Sequence, residues 1–499
     1  MSKLNATRRQ FLRTASVVSG SVGTAAVPFA LNMATLNSAA AQSAPSDYKA
    51  IICMFFYGGN DSSHMVLRTD KTSFDEYTRL RNSLPESIAL LAPGTPINGN
   101  AQRASPARLG GVLPLSPKFT ASPENSANTF AVHPSMTEVQ SLFGAGRLAV
   151  IANAGPLVVP LTRADYTSNS KPRPQALGSH NDQQSTWQAL GPEGVKIGWG
   201  GHLGDMVASQ NSNATFTSIS VAGNNVFSAG EQTFQYSVGG GGATQIAGLS
   251  GTLFGSTTAS TTLRSIVTGD NQHLFAKEYG QVIKRSVDAQ AAFQGAFNAT
   301  AAAGVVIAPT QYNQPSTGQN QNNGLAQQLQ TVVRTIAARN AIGAKRQVFF
   351  VSMGGFDTHD GQNMNSADLY ARISHAIGYL DTALANVGGV DLRNNVTMFT
   401  ASDFGRTITS NGDGTDHGWG ASHFVTGGAV NGGEIYGRFP KFGLNDNEDS
   451  ANNAYLPSTS VDTIGATIGK WFGASATNLD TVFPNLKNFP RDLGFLKAG

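Results

Sequence analysis

Short apolar runs that end in glycine and polar residues recur along the chain, and they predict buried β-strands. These runs, rich in Val, Ile and Phe, cover residues 50–57 (AIICMFFY), 148–152 (LAVIA), 347–352 (QVFFVS) and 396–400 (VTMFT). Continuous apolar stretches of this length are typical of strands covered on both faces, as in parallel sheets. The pattern therefore predicts an α/β fold with a mostly parallel central sheet flanked by helices.

Two segments show the three- to four-residue apolar spacing of a helix that buries one face. Residues 366–389 lie between the last two runs, with Ser366 predicted as the N-cap and Gly388 and Gly389 at the end. Strand, helix and strand joined by short connections form a βαβ unit, which implies parallel strands. Residues 458–473 predict a second capped helix with its apolar side chains facing inward.

The middle of the chain has a different composition. Ser, Thr, Gly and Asn dominate residues 207–262, and two helices are predicted at about 271–297 and 324–345. The polar stretch between them, residues 310–324, is predicted to be mobile. We interpret residues 207–345 as a Gly/Ser/Asn-rich and helical insertion, or cap, on the α/β core.

The N-terminus carries the pattern of an export leader. Residues 1–41 begin with the basic pair Arg8 and Arg9, continue as a weakly apolar run and close on three alanines. This pattern is typical of a secretory signal peptide, and the paired arginines favour the twin-arginine route. A membrane anchor is the alternative, but asparagines and glycines interrupt the apolar run. We expect the twin-arginine export machinery to recognise the leader. The mature chain, residues 42–499, is expected to be one α/β domain, periplasmic or secreted, without a stable membrane anchor.

Charge and cysteine content limit the partners. The formal net charge of the 499 residues is +3, but the leader holds four basic residues and no acid, so the mature chain carries −1. The chain as a whole is therefore not expected to bind nucleic acid. Cys53 is the only cysteine, so no intramolecular disulfide can form. Because Cys53 lies within an apolar run, we predict a buried thiol.

Three predicted strands end in motifs that carry acids. The motifs are GGND at residues 58–61, GGFDTH at 354–359 and SDFGR at 402–406, with Asp416 and His417 shortly after. Ligands of open α/β sheets collect outside the carboxyl ends of parallel strands. We therefore expect these motifs to meet at one edge of the sheet, although each alone is also compatible with an ordinary turn.

The acids and histidines of these motifs form a candidate metal site. The predicted ligands are Asp61, Asp357, His359, Asp403, Asp416 and His417. Zn²⁺ is bound by histidine nitrogen and carboxylate oxygen, whereas Mg²⁺ and Mn²⁺ favour oxygen, so the set could hold one or two divalent ions. Arg406 is predicted to bind an anionic oxygen, or alternatively to pair with Asp403.

A nucleophile is harder to place. Ser62 beside Asp61 is one candidate, although a serine needs a base or a metal to become nucleophilic and could equally be a turn residue. His180, in the stretch GSHNDQQSTW at residues 178–187, is predicted as a ligand or substrate contact.

The motifs at residues 58–61, 354–359 and 402–420 resemble those of the bacterial "domain of unknown function 1501" family, over about residues 48–475. That family is grouped with the alkaline phosphatase-like superfamily, which includes sulfatases. The resemblance implies an alkaline phosphatase-like fold. It also implies an exported metal-dependent hydrolase or transferase that acts on a phosphate or sulfate ester of a small molecule or glycan.

The resemblance also implies roles for individual residues. Asp61 corresponds to the first metal aspartate of the superfamily, Asp357 and His359 to a later Asp/His metal pair, and His417 to the last metal histidine. Asp403 resembles the aspartate of a Ser-Asp-His segment. Asp416 is expected to be a ligand or to orient His417.

A second hypothesis comes from another functional class. Phe404 stands where the histidine of the Ser-Asp-His segment would fall, and no sulfatase-type nucleophile motif is present. These departures favour a non-catalytic periplasmic binding or assembly protein on a degenerate alkaline phosphatase-like fold. Bound metal together with ester cleavage would distinguish the enzyme from this alternative.

Overall fold

The computed structural model describes residues 47–270, 272–444 and 449–497, and the predicted leader lies outside these ranges. The strands are β1 (Lys49–Tyr57), β2 (Val66–Arg68), β3 (Leu113–Leu115), β4 (Phe130–Val132), β5 (Leu148–Gly155), β6 (Ser218–Ser220), β7 (Tyr236–Gly239), β8 (Gly242–Ala243), β9 (Tyr312–Gln314), β10 (Gln319–Gln321), β11 (Arg346–Gly354), β12 (Val396–Ser402), β13 (Ala421–Thr426), β14 (Ile435–Tyr436), β15 (Ser450–Ala451), β16 (Ala454–Tyr455) and β17 (Thr459–Ser460). The α-helices are α1 (Ser62–Met65), α2 (Lys71–Arg81), α3 (Pro106–Leu109), α4 (Thr137–Gly144), α5 (Arg163–Ser168), α6 (His180–Ala189), α7 (Trp199–Val207), α8 (Thr257–Thr268), α9 (Leu274–Ala302), α10 (Gly324–Ala337), α11 (Gln362–Leu384), α12 (Val461–Phe472) and α13 (Ala476–Val482).

A ten-stranded sheet forms the centre of the fold. Its order is β14-β5-β13-β12-β1-β11-β6-β7-β8, with β17 beside β5. β1 pairs in parallel with β11 and β12, and β6 pairs in parallel with β11, whereas β13 is antiparallel to both its neighbours. The predicted α/β class, with a mostly parallel sheet flanked by helices, is confirmed.

Strand β1 is apolar throughout because both of its faces are covered. Ile51 and Phe55 point to one face and belong to the same core cluster as Trp199 of α7 and Ile464 of α12. The alternate residues of β1 are also buried, as expected for a strand in the middle of a parallel sheet. Cys53 lies in this core, and burial raises the pKa of its thiol well above the usual value, so the thiol stays protonated.

Helix boundaries differ from the sequence prediction where a glycine sets them. α11 begins at Gln362 because Gly361, in a left-handed conformation, turns the chain into the helix, and Ser366 lies buried inside it instead of capping it. α12 agrees with the prediction, since the Ser460 side chain caps its start and Gly473 ends it.

The middle segment is more ordered than the sequence suggests. Part of the stretch predicted to be mobile folds into the antiparallel hairpin β9–β10. Strands β6 and β7, inside the region interpreted as an insertion, extend the central sheet in parallel beyond β11. Among the described residues, the helices are all too short or too polar to cross a bilayer.

A buried carboxyl group at the start of α12 predicts a pH effect on stability. Asp462 is 1% exposed and accepts a hydrogen bond from the Asn485 backbone N–H at 3.1 Å. Burial raises the pKa of Asp462 from 3.8 to about 6. Protonated Asp462 therefore contributes about 3 kcal/mol to the free energy of unfolding, and this contribution is fully present below pH 3.8. The contribution is lost as the pH rises through about 6.

We expect Asp462→Asn, which keeps the hydrogen-bond acceptor, to escape this loss. When the pH is raised from 4 to 7, the free energy of urea unfolding should fall by about 2–3 kcal/mol less in the variant than in the wild type. The exposed Asp480→Asn is the matched control and should show no such trend. A constant difference between Asp462→Asn and wild type over this range would contradict the prediction.

Candidate metal centre

The carboxyl ends of β1, β11 and β12 lie side by side. Tyr57 is in register with Gly354, and Phe56 with Ser402. The loop after β1 packs closely against the loop after β11, because a Cβ on Gly58 would lie 2.5 Å from the Asp357 backbone nitrogen. Only glycine fits there, which explains the glycine that follows the first strand.

Three histidines direct their Nε2 atoms at the Asp357 carboxylate. His359 Nε2 lies 3.0 Å and His417 Nε2 3.3 Å from Asp357 Oδ1, and His180 Nε2 lies 3.4 Å from Oδ2. The Nε2 atoms of His359 and His417 are themselves 3.1 Å apart. We call these four residues, His180, Asp357, His359 and His417, the histidine cluster.

The opposite ring nitrogen of each histidine contacts an oxygen acceptor. His180 Nδ1 is 2.7 Å from Asp403 Oδ2, and His417 Nδ1 is 2.7 Å from the Gly178 carbonyl oxygen. His359 Nδ1 is 3.0 Å from Asp416 Oδ1. When Nδ1 of a neutral imidazole donates in these contacts, its Nε2 carries the lone pair that a metal ion needs.

The Nε2 atoms of His359 and His417, 3.1 Å apart, require a proton or a metal ion between them, because two lone pairs at this distance would repel. The ligand atoms of His180, Asp357 and His417 all lie within 4.8 Å of one another. In a tetrahedral Zn²⁺ site with bonds of about 2.0–2.1 Å, neighbouring ligand atoms are about 3.3 Å apart. The contacts of 3.0–3.4 Å around Asp357 match this spacing, so His180, Asp357 and His417 fit one divalent ion, and His359 lies beside them with its Nε2 3.0 Å from Asp357 Oδ1.

Asp403 contacts the ring nitrogen of His180 that faces away from Asp357. Its side chain is fully buried, and Oδ2 accepts hydrogen bonds from His180, from the Gln184 side chain at 2.9 Å and from the Gly58 backbone at 3.1 Å. Burial raises the pKa of Asp403, and the hydrogen bonds from Gln184 and His180 oppose that rise. The sequence predicts Asp403 as a metal ligand, whereas in the structure its carboxylate contacts His180 Nδ1, the position from which a carboxylate can orient a histidine toward a metal ion.

Asp416 has the same relation to His359. The sequence predicts it as a ligand or as the partner of His417, but the loop between β12 and β13 turns its carboxylate to His359. The Asn411 side chain donates to the same oxygen at 3.0 Å. His417 is oriented by the Gly178 carbonyl oxygen instead.

Arg406 supports Asp357 and has little capacity left for an anion. Its side chain is fully buried, and Nη1 donates to Asp357 Oδ1 at 2.6 Å and to the Gly58 carbonyl oxygen at 3.2 Å. Nε and Nη2 donate to the side chain and backbone of Thr415. Burial raises the pKa of Asp357, but Arg406 outweighs this and the pKa is lowered, so the carboxylate remains ionised.

Asp61 is paired with a different cation. Its carboxylate forms a buried bidentate ion pair with Arg81 of α2, and also accepts from the Gln362 side chain at 2.7 Å. Ser62 is buried at the start of α1, and no hydrogen bond joins it to the histidine cluster among the described residues. Asp61 and Ser62, which the sequence predicts as site residues, are thus not part of the histidine cluster.

Residues that the sequence did not predict as ligands or catalytic groups complete the site. Gln362 accepts hydrogen bonds from Thr358 and Thr415 while it donates to Asp61, so it connects the buried ion pair to both site loops. The Phe404 ring packs on those of His180 and His417, with centroids 4.9 and 4.6 Å apart. The sequence signal that points to such a partner is the four-residue spacing of His180 and Gln184, which places both side chains on one face of a helix.

Removing the charge that orients His180 should weaken metal binding. Asp403→Asn keeps an oxygen that can accept from His180 Nδ1 but removes the negative charge beside it, so the imidazole becomes a weaker ligand. We expect zinc affinity to fall about 10- to 100-fold, measured by competition with a chromogenic chelator. The nearby exposed Asp360→Asn loses the same charge and should bind as wild type. Equal affinities for the Asp403 variant and wild type would show that Asp403 does not orient a ligand.

Comparisons with known proteins place most of the chain in one family. The model of a family described as "Protein of unknown function (DUF1501)" matches residues 48–476. No curated protein matches the chain. The solved structures that are similar include Ps i-CgsB, at 10% identity and a TM-score of 0.30 over 71% of this chain and 72% of that chain.

Two further solved structures are similar at the same distant level. BT33494S-sulf, from glycosaminoglycan metabolism by Bacteroides thetaiotaomicron, has 11% identity and a TM-score of 0.32 over 87% of this chain and 74% of that chain. A variant of the alkaline phosphatase PafA has 12% identity and a TM-score of 0.21 over 73% of this chain and 64% of that chain.

Proposed function

We propose that this chain, which belongs to the DUF1501 family of proteins of unknown function, hydrolyses or transfers a phosphate or sulfate ester. We further propose that the histidine cluster binds one divalent metal ion for this reaction. The observation that carries this proposal is the convergence of three histidine Nε2 atoms on one carboxylate. Three nitrogens and one carboxylate oxygen favour Zn²⁺ over Mg²⁺ or Mn²⁺.

One ion is favoured over two by the ligands that remain. Asp61 is neutralised by Arg81, and Asp403 and Asp416 are engaged with histidines. This leaves the histidine cluster, in which His180, Asp357 and His417 are close enough together to hold one ion and His359 adjoins them. When bound, such an ion supplies Lewis acidity toward an ester oxygen and lowers the pKa of water.

The chain's own residues prepare the site for this chemistry. Asp357 is kept ionised by Arg406, and the carboxylates of Asp403 and Asp416 keep two imidazoles in the ligating tautomer. The cluster is partly open to solvent, since 27–44% of each of its side chains is exposed. Because no serine hydroxyl contacts the cluster among the described residues, we propose water as the attacking group, in place of Ser62.

A second candidate follows from Arg406. Its guanidinium is buried and bonded to Asp357, so it is not available as a cation for a substrate anion. This observation favours the non-catalytic alternative, a periplasmic binding or assembly protein that uses the metal site to bind a ligand without cleaving it. We also propose, from the leader in the sequence, that the protein acts in the periplasm or outside the cell after twin-arginine export.

Ester cleavage by the zinc-loaded, leader-free protein tests the proposal. The substrates are 4-nitrophenyl phosphate and 4-nitrophenyl sulfate, followed by a panel of sugar phosphates and sulfates. We expect zinc-dependent turnover that falls more than about 100-fold in Asp357→Asn, since that change removes the anionic ligand. Full zinc loading without cleavage of any ester would reject the enzyme and favour the binding protein.

A further inference from the structure

Exposed apolar side chains are concentrated in one part of the molecule. Among the described residues, most of the large apolar side chains with high exposure lie between Phe234 and Val282. Five of them belong to the hairpin formed by α8 and α9. These are Ile266 (72% exposed), Leu274 (76%), Phe275 (80%), Tyr279 (66%) and Val282 (45%).

The two helices of this hairpin pack on each other, and the N-terminal half of α9 projects from the body. A Cβ on Gly280 would lie 3.0 Å from the Val267 carbonyl oxygen, so glycine permits close contact of α9 with α8. Between Leu274 and Ser286 of α9, Gly280 alone is buried, whereas the C-terminal half of the helix supplies five residues to the interior. One face of the projecting half thus packs on α8 and the other faces solvent.

The exposed apolar residues of α9 form a stripe. Phe275, Tyr279 and Val282 follow one another at i, i+4 and i+7, which places them on one face of the helix, with Leu274 next to Phe275. Ile266 lies in the last turn of α8, at the same end of the hairpin. We call these five residues the hairpin patch.

The charges around the hairpin patch are neutralised within the hairpin. The ion pairs are Arg264–Asp288 (3.4 Å), Lys277–Asp270 (3.6 Å), Lys284–Asp288 (2.6 Å) and Arg285–Glu278 (2.9 Å). Because two of these pairs share Asp288, four cations face three acids, and the surface offers an excess of only one cation to an anionic lipid surface. It is apolar and nearly neutral, which makes it complementary to another copy of itself.

The area of the hairpin patch is sufficient for a dimer. Taking about 150–200 Å² for a fully exposed large side chain, its five residues expose on the order of 600 Å². Two copies paired through their patches would bury about 1,200 Å² in total, which is the lower end of the range for specific protein interfaces. This area is at the upper end of the range for the largest apolar patch of a monomer, about 300–600 Å², and patches of that size are often functional.

We propose that the hairpin patch is a self-association surface, through which two copies of the chain pair about a two-fold axis. The projecting half of α9 packs on its equivalent in the second copy, so that Phe275 and Tyr279 are buried at the centre of the interface. The interface does not involve the histidine cluster, and dimer formation does not require bound metal.

Analytical ultracentrifugation of the leader-free protein tests this proposal. We expect the wild type to sediment as a dimer at about 100 µM and to dissociate toward about 1 µM, consistent with a modest interface area. The double variant Phe275→Ser, Tyr279→Ser should raise the dissociation constant more than about 10-fold. Circular dichroism before and after the substitutions checks that the hairpin helices persist.

The control is a double variant that replaces two exposed apolar side chains outside the hairpin of α8 and α9. Leu84→Ser and Ile97→Ser remove side chains that are 90% and 69% exposed, and should leave the dissociation constant unchanged. A wild type that stays monomeric at 100 µM, or a dimer that the double variant leaves intact, would overturn the proposal. Monomeric protein that co-sediments with phosphatidylglycerol vesicles through Phe275 and Tyr279 would overturn it in favour of a membrane surface.

Discussion

Replacing His417 or His359 with alanine is expected to release the metal from the protein. Both imidazoles direct Nε2 at Asp357 Oδ1 and have Nδ1 fixed by an oxygen, so each supplies one ligand that no neighbour can replace. Substitution of a residue that only orients a ligand costs about 10- to 100-fold in metal affinity, so loss of a ligand should cost more than about 100-fold. Plasma mass spectrometry should find one equivalent of zinc in the wild type and almost none in either variant.

His202→Ala is the matched control for this experiment. His202 is half-buried on α7 and is not part of the histidine cluster. The variant should bind zinc as the wild type does, which would show that loss at His417 is not a general effect of removing a histidine. Full zinc retention in folded His417→Ala would contradict the proposed ligand set.

The second large effect is expected at the buried ion pair between Asp61 and Arg81. Arg81 is fully buried and donates through Nε to the Ile408 carbonyl oxygen at 2.7 Å as well as to the Asp61 carboxylate. Arg81 lowers the pKa of Asp61 against the effect of burial. Arg81→Met would leave that carboxylate without its counter-charge, so we expect the free energy of unfolding to fall by about 3–5 kcal/mol.

Arg79→Met, two residues earlier on α2, is the control for this prediction. Arg79 pairs with Glu76 on the surface, where solvent screens the ion pair, so its replacement should change the free energy of unfolding little. Asp61→Asn should also lose stability and still bind one zinc. Loss of zinc from folded Asp61→Asn, with near-normal stability of Arg81→Met, would show that Asp61 is a ligand after all.

The strands and their common edge could be predicted from the sequence because a buried strand needs an unbroken apolar run. The run at residues 50–57 corresponds to β1, and its glycine-rich end meets the end of β11 in register. The same logic identified Asp357, His359 and His417, since acids and histidines that follow such runs have few other reasons to converge.

Partners within the site could not be predicted in the same way. An aspartate after a strand has the same local sequence whether a metal or a guanidinium neutralises it, and Arg81 lies 20 residues beyond Asp61 along the chain. The pairing of Asp416 with His359 depends on the path of a glycine-rich loop, which apolar periodicity does not specify. His180 reaches the site because a helix begins there, and its role depends on the buried Asp403 beneath it.

Anomalous X-ray diffraction from zinc-soaked crystals of the leader-free protein tests the central claim most directly. Data collected on both sides of the zinc absorption edge locate the ion without reference to activity. We predict one strong peak among the Nε2 atoms of His180, His359 and His417 and the Asp357 carboxylate. A fully soaked crystal with no peak at that position, or with its peak beside Asp61, would contradict the account.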